Sequence, residues 1–527
     1  MQTLINSYQK IGFTKFIALF SLIFGLLLVN FGERVALREG KGWDGVTFVY
    51  YAQHFDSLIK NRLINTNIKD GNLTLTHKVN RFFPSMVVHY SLKIAQIPIN
   101  TPNIIETFAY YNLLCLVLAS VFIGIIGQKF DLEEKSKWLL WFLLLFNFSV
   151  VKRSFYEPAL TDLTAILLGI SLITFWALDN WKGVIGLVII GLIGAFVWQP
   201  ITIYAYFLLL FPRNIKLIEQ KNSWLNLAIW AVFGGIFFYY FANAYFNVGV
   251  EAFSAAVEHY FGQTPIYEKG LLVSGILATL FTGAYFGLLL KDCSLKNIIY
   301  FVKPNIIFRI IPIFLLYFLV NYLNSLVTSL ASPTADVSSQ VINSVANTAT
   351  QSPLAFLSIF IYHPLAMHTP LGFIFLHASF FGAAFIVASF FYDSFTKILR
   401  QECGIGFILI FLASYQSAIL NPQSRIGTAF FVFIAFVAVL MIDRKKWSNW
   451  SYLLLILINI FSSKIWLQIG DFTNLEFSWL RWYTSFGMWT NLRWVIIIGF
   501  LFCVFGGVLW ILERKNWIIQ IKKLLKI

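Results

Sequence analysis

Long apolar runs separated by short polar segments set the pattern of this chain. They fall near residues 15–32, 107–127, 137–151, 159–178, 224–242, 270–290, 306–328, 371–392, 404–420, 426–442, 447–466 and 491–512. Only helices and closed barrels can span a bilayer, and these runs are too long for barrel strands, so they predict membrane helices. Between 183 and 212 another run is interrupted by Trp198-Gln199-Pro200. Proline ends the helix before it, which predicts two short helices meeting at a bend. The chain therefore reads as all-α: a polytopic transmembrane helical bundle of roughly 12–14 spans, forming a single integral membrane domain over residues 1–527.

Lysine and arginine in the short connections orient the spans. With the N-terminus inside, the inner segments contain Lys10, Lys15, Lys129, Lys135, Lys137, Lys182, Arg213, Lys216, Lys221, Lys291, Lys296, Lys303, Lys397, Arg400, Arg444, Lys445, Lys446 and a basic tail from Arg514 to Lys526. The outer connections contain chiefly Lys152, Arg153, Lys269, Arg425 and Arg481. Positive loops stay on the cytoplasmic side, so the expected location is the cytoplasmic membrane with both termini inside. This parity holds only if the broken pair at Pro200 counts as one up-and-down excursion. The outer segments are then 33–106, carrying interfacial helices, and 243–269, 329–370 and 467–490. Residues 331–351, rich in Ser, Thr, Asn and Ala, read as a polar outer loop. The first run, Phe16 to Phe31, lacks a small-residue cleavage site after it and reads as a retained anchor.

Composition agrees. Of 527 residues, 58% are hydrophobic and 12% charged, too few charges for a soluble domain of this length. The net charge of +15 does not point to nucleic acid, because the basic residues lie mainly between spans, where they meet anionic head groups. None of Cys115, Cys293, Cys403 and Cys503 falls in an outer loop, so no structural disulfide is expected. A Gly-rich phosphate loop, a Walker lysine and a Cys/His zinc pattern are all missing, which argues against an ATP-driven pump.

Four polar groups need explaining. The first is Asp44, between Gly42-Trp43 and Gly45, followed by Tyr50, Tyr51, His54 and Asp56. A carboxylate at a membrane face among aromatic rings is costly unless it is used, although an Asp there also fits the cap of an interfacial helix. The second is His77-Lys78-Val79-Asn80-Arg81-Phe82-Phe83-Pro84, where Arg81 suits a phosphate or a lipid head group. The third, Lys152-Arg153-Ser154-Phe155-Tyr156-Glu157-Pro158-Ala159-Leu160-Thr161-Asp162, packs two cations and two acids into a short outer turn. There Thr161 or Asp162 also fits a helix cap. The fourth is Asn421-Pro422-Gln423-Ser424-Arg425, whose arginine at a water-facing edge suits a phosphate clamp or snorkelling to head groups. Glu258-His259, His363 and His368 are weaker features that fit no metal-site spacing.

The order of these groups resembles the GT-C superfamily of polyprenyl-phosphate-sugar-dependent glycosyltransferases. Gly42-Trp43-Asp44-Gly45 through Tyr50-Tyr51-Ala52 is similar to the Gly-Tyr-Asp-Gly…Tyr-Tyr…Ala pattern of bacterial members. Arg81-Phe82-Phe83-Pro84 is similar to their arginine-to-proline segment, and Tyr156-Glu157-Pro158 through Thr161-Asp162 to their second acidic motif. The resemblance covers roughly the first 180 residues; beyond them it is general helix order. It implies an inverting membrane glycosyltransferase acting at the outer face on a polyprenyl-phosphate-linked sugar donor and a glycan, lipid or protein acceptor. Asp44 is then the general base, and Glu157 or Asp162 orients the acceptor or holds a divalent metal. Several members carry two acids in the first motif, where this chain has one. Tyr50, Tyr51, Arg81, Lys152, Arg153 and Arg425 are the candidate substrate-binding residues, since cations stabilise a departing lipid phosphate.

Two other classes compete. A lipid-linked sugar transporter or flippase needs ionisable residues at mid-depth, and the predicted spans contain few. An O-antigen polymerase or ligase leans on arginines and histidine in a large late outer loop. Segment 329–370 contains His363 and His368 but no arginine.

Overall fold

The computed structural model describes residues 12–36, 38–42, 45–61, 81–213, 223–243, 268–291, 304–330, 372–415, 424–466 and 492–513. Among them all regular structure is helical. In chain order the helices are α1 (Phe13–Phe31), α2 (Gly45–Asn61), α3 (Phe83–Ile94), α4 (Thr101–Lys129), α5 (Glu134–Leu145), α6 (Asp162–Leu178), α7 (Trp181–Ala195) and α8 (Pro200–Leu210). There follow α9 (Ser223–Asn243), α10 (Glu268–Leu289), α11 (Pro304–Leu330), α12 (Gly372–Phe381), α13 (Ala383–Phe390) and α14 (Tyr392–Ile398). The last are α15 (Ile405–Tyr415), α16 (Thr428–Arg444), α17 (Asn449–Ser463) and α18 (Leu492–Glu513).

Three of these are long and apolar enough to cross a membrane: α1, α4 and, over Ile496–Glu513, α18. A fourth span arises if α5 and the turn Ser149–Tyr156 count as one unit bent by 52°. At a rise of about 1.5 Å per residue, the 19 residues of α1 match a hydrocarbon core of roughly 30 Å. Several other apolar helices are shorter, in part because runs that look continuous in sequence are broken. The run at 371–392 divides at Gly382, whose φ of +85° only glycine adopts readily. The run at 137–151 bends where Asn147 turns its amide back to the carbonyls of Leu143 and Leu144, 3.2 and 2.9 Å away. The run at 183–212 breaks between Phe196 and Gln199 as expected, and α7 and α8 return on one another. Thr202 donates to the Gly191 carbonyl at 2.7 Å, and Gly194 leaves room for Ile201.

Polar contacts sort the helix ends into two groups. At one end Arg213 donates to the Lys129 carbonyl (3.3 Å) and Arg444 to that of Phe130 (2.9 Å). The Glu133 amide meets Asp443 (2.9 Å), and Lys291 pairs with Asp393 (3.2 Å). At the other end lie residues 33–42, the turn 149–161, the 196–199 break and Arg425. Thus Lys129, Arg213 and Arg444 gather at one end of these helices, and the turn at 149–161 lies at the other. Between them α16 is the central rod, buried from Thr428 to Asp443, with Phe431 stacked on Phe381 at 4.4 Å. Inside the apolar packing of α1, α4 and α5, Trp141 Nε1 donates to Ser21 and Ser120 at 2.9 and 3.0 Å. Small hydroxyl residues at helix crossings satisfy such a donor where water is absent.

Candidate functional site

The site is built on the turn that follows α5. Ser149–Arg153 forms a π turn, Ser154–Tyr156 adds one α turn, and Pro158 prevents the helix from continuing. Ser154 Oγ closes the turn on the Ser149 carbonyl at 2.8 Å. Asn112, fully buried in α4, donates its amide to the carbonyls of Ser154 (2.7 Å) and Pro158 (2.9 Å). Those carbonyls would otherwise be stranded in apolar surroundings. Asn112 is a site-supporting residue not singled out from the sequence; its signal was a lone amide within the apolar run 107–127.

The segment after α1 is stitched to this turn. The Val35 amide donates to the Tyr156 carbonyl at 3.0 Å. Arg34 donates to the carbonyl of Phe155, and to that of Val29 at 2.9 Å. The chain then reaches Gly42, in the left-handed region at φ +64°, where an added Cβ would stand 2.9 Å from Glu157 Oε1. At Gly45 a Cβ would stand 3.2 Å from Ala159 Cβ. Asp44 and Trp43 lie outside the described residues, but both glycines that bracket them back directly onto the second acidic motif.

Helix α2 continues the contact. Phe48, Val49, Tyr51 and Ala52 pack in one cluster with Ala159 and Leu160. Ser85 of α3 donates to the Phe48 carbonyl at 2.8 Å, tying α3 to the same helix. Tyr51 is buried, which pushes its phenol pKa up, with Tyr50 a second cause. Tyr50 is half-buried, its ring 4.6 Å from that of His54. Farther along α2, Asp56 meets Lys93 of α3 at 2.6 Å, which holds its carboxyl below the usual range.

The acids and cations are arranged in pairs. Glu157 meets Arg153 at 3.4 Å, both largely buried. Asp162 is inaccessible, and Arg425 Nε lies 2.9 and 3.0 Å from its two oxygens. Arg425 was expected at a water-facing edge; its side chain is 12% exposed and turned inward. Thr161 sits at the cap position of α6, but its hydroxyl makes no capping bond, and the Asp162 carboxylate is directed to Arg425. Lys152 pairs with Glu33 at 3.1 Å, a partner not singled out from the sequence. Arg81 lies over the Trp198 ring at 4.3 Å, and the Phe83 amide donates to the Phe196 carbonyl, so the second polar group docks on the α7–α8 break.

The structure thus brings Glu157, Arg153, Tyr50, Tyr51 and the flanks of Asp44 into one region. It places Lys152 with Glu33 and Asp162 with Arg425 as separate pairs. His77, Lys78, Asn421, the Glu258-His259 pair, His363 and His368 lie outside the described residues. Glu157 and Asp162 already face guanidinium groups, and among the described residues no three His, Cys, Asp or Glu side chains converge. Compared with protein-family models, curated protein sequences and solved structures, the chain matches none of them.

Proposed function

We propose that this chain is an inverting membrane glycosyltransferase. It would take a sugar from a polyprenyl-phosphate donor at the outer face of the cytoplasmic membrane and pass it to a hydroxyl acceptor. In this reading the other apolar helices also cross, giving roughly 12–14 spans, and both termini are cytoplasmic. The observation that carries the proposal is the contact of Gly42 with Glu157 and of Gly45 with Ala159. The glycines on either side of Asp44 thus rest on the second acidic motif, more than 100 residues away in sequence, which supports a shared site for two substrates.

Asp44 takes the proton from the acceptor hydroxyl. The acceptor oxygen attacks the anomeric carbon, the bond from that carbon to the phosphate oxygen breaks, and the lipid phosphate leaves with the electron pair. Glu157 accepts a hydrogen bond from the acceptor and fixes its direction. Arg153 and Arg81 lower the energy of the charge developing on the phosphate. Asp162 and Arg425 position the start of α6 beneath the second motif. No step is routed through a metal.

The test uses the purified full chain in lipid nanodiscs with a panel of polyprenyl-monophosphate sugars, reading release of polyprenyl phosphate. Asp44→Asn should lower turnover by about 10²–10⁴-fold with unchanged melting. Asn and Asp cap helices about equally well, so near-normal turnover in the variant would reduce Asp44 to a cap. No release from any donor would overturn the transferase reading itself.

A further inference from the structure

A groove of about 460 Å³ opens between the end of α1, the π turn and the end of α17. Its size falls within the roughly 300–1,000 Å³ of ligand pockets. The walls are apolar and aromatic, with Leu27, Phe31, Phe155 and Trp466 among them. Leu27, Phe31 and Trp466 are 52%, 83% and 56% exposed, on a helix end apolar enough to be in a membrane and on the turn beside it. Such a surface is covered by hydrocarbon when the bilayer is present. Among the described residues, the charged side chains lining the groove are Glu33 and Lys152, 3.1 Å apart, with exposures of 25% and 12%.

We infer that this groove holds one membrane phospholipid with a zwitterionic head, its chain along Leu27 and Phe31, its phosphate on Lys152 and its ammonium on Glu33. Charge complementarity selects that head. An anionic head alone would meet Lys152 but face Glu33 at close range, and like charges across a contact are strongly disfavoured. A head carrying both signs converts one ion pair into a closed set of alternating charges. Trp466 is of a residue type that gathers at membrane interfaces. The inference requires only that α1 cross the membrane and stands apart from the transferase proposal.

The test is lipid retention by the full chain after delipidation, read by native mass spectrometry. The added probes are phosphatidylethanolamine, phosphatidylcholine, phosphatidylglycerol and a polyprenyl monophosphate. One zwitterionic lipid should be retained about tenfold over phosphatidylglycerol and over the polyprenyl phosphate, the worth of one charged contact. Glu33→Gln should erase that preference. Leu27→Trp, which fills the groove from its exposed side without entering the core, should lower retention of every lipid. Equal or better retention of either anionic lipid overturns the inference. So does a zwitterion preference that survives Glu33→Gln, or full retention in Leu27→Trp. Preference between the ethanolamine and choline heads names the source of the ammonium.

Discussion

Arg425 Nε lies within hydrogen-bond distance of both carboxylate oxygens of Asp162, at 2.9 and 3.0 Å, across 263 positions of sequence. The carboxylate is wholly buried, so its charge is compensated by this arginine rather than by water. Removing one partner of such a pair leaves an uncompensated charge, which costs about 3–5 kcal/mol. Arg425→Ala should therefore lower the melting temperature markedly, whatever it does to activity. Asp162→Asn should cost less, because the arginine left behind is partly exposed. Asp162→Asn combined with Arg425→Gln should recover most of the loss. Wild-type melting of Arg425→Ala in detergent would show that the pair does not hold the fold.

Gly42 supports the site by what it lacks. At φ +64° a side chain strains the backbone by about 1–2 kcal/mol, and its Cβ would press on Glu157. The Glu157 side chain can shift, so Gly42→Ala should depress donor turnover more than it depresses melting. Parallel turnover and melting measurements decide it; a loss of stability with unchanged turnover would separate Gly42 from the site.

The pair of Asp56 and Lys93 makes a pH-dependent clip between α2 and α3. Lys93 holds the Asp56 carboxyl below its unfolded value, so the clip contributes fully above about pH 4 and is lost as pH falls through the lowered value. Lys93→Met should reduce the fall in melting temperature between pH 6 and pH 3. An identical acid profile in the variant would place the pair's effect below detection.

Asn459 joins two helix breaks. Its amide donates to the carbonyls of Phe142 (2.7 Å) and Phe146 (2.8 Å), and its oxygen accepts from the Ala383 amide at 2.9 Å. Asn459→Leu would remove the partner of the Phe146 carbonyl and of the Ala383 amide, at about 1–3 kcal/mol for each buried group, while the Phe142 carbonyl keeps the Phe146 amide at 3.0 Å. A clear drop in melting temperature is expected, with helix content by circular dichroism nearly kept. Unchanged melting would mean that water reaches these groups.

The apolar runs by themselves determined that the chain is helical and that α1, α4 and α18 suit a membrane, because hydrophobic patterning is a local property. Pro200 announced the break between α7 and α8 for the same reason: its ring acts on the residues beside it. The Asn147 bend and the Gly382 break were hidden inside apolar runs, since Asn459, distant in sequence, bonds the Phe146 carbonyl beside the one and the Ala383 amide beside the other. The acids Glu157 and Asp162 stood out as charges beside a predicted span. Which cation each would meet was beyond the sequence. Glu33 and Lys152 are 119 positions apart and Asp162 and Arg425 are 263, and only the packing of distant helices brings either pair within reach. Tertiary structure also decided that Gly42 rests on Glu157, because a Cβ-sized space has meaning only when the second surface is present. Sequence thus determined which segments leave water. The packed structure decided which charges leave it together, because desolvation and pairing belong to the assembled helices.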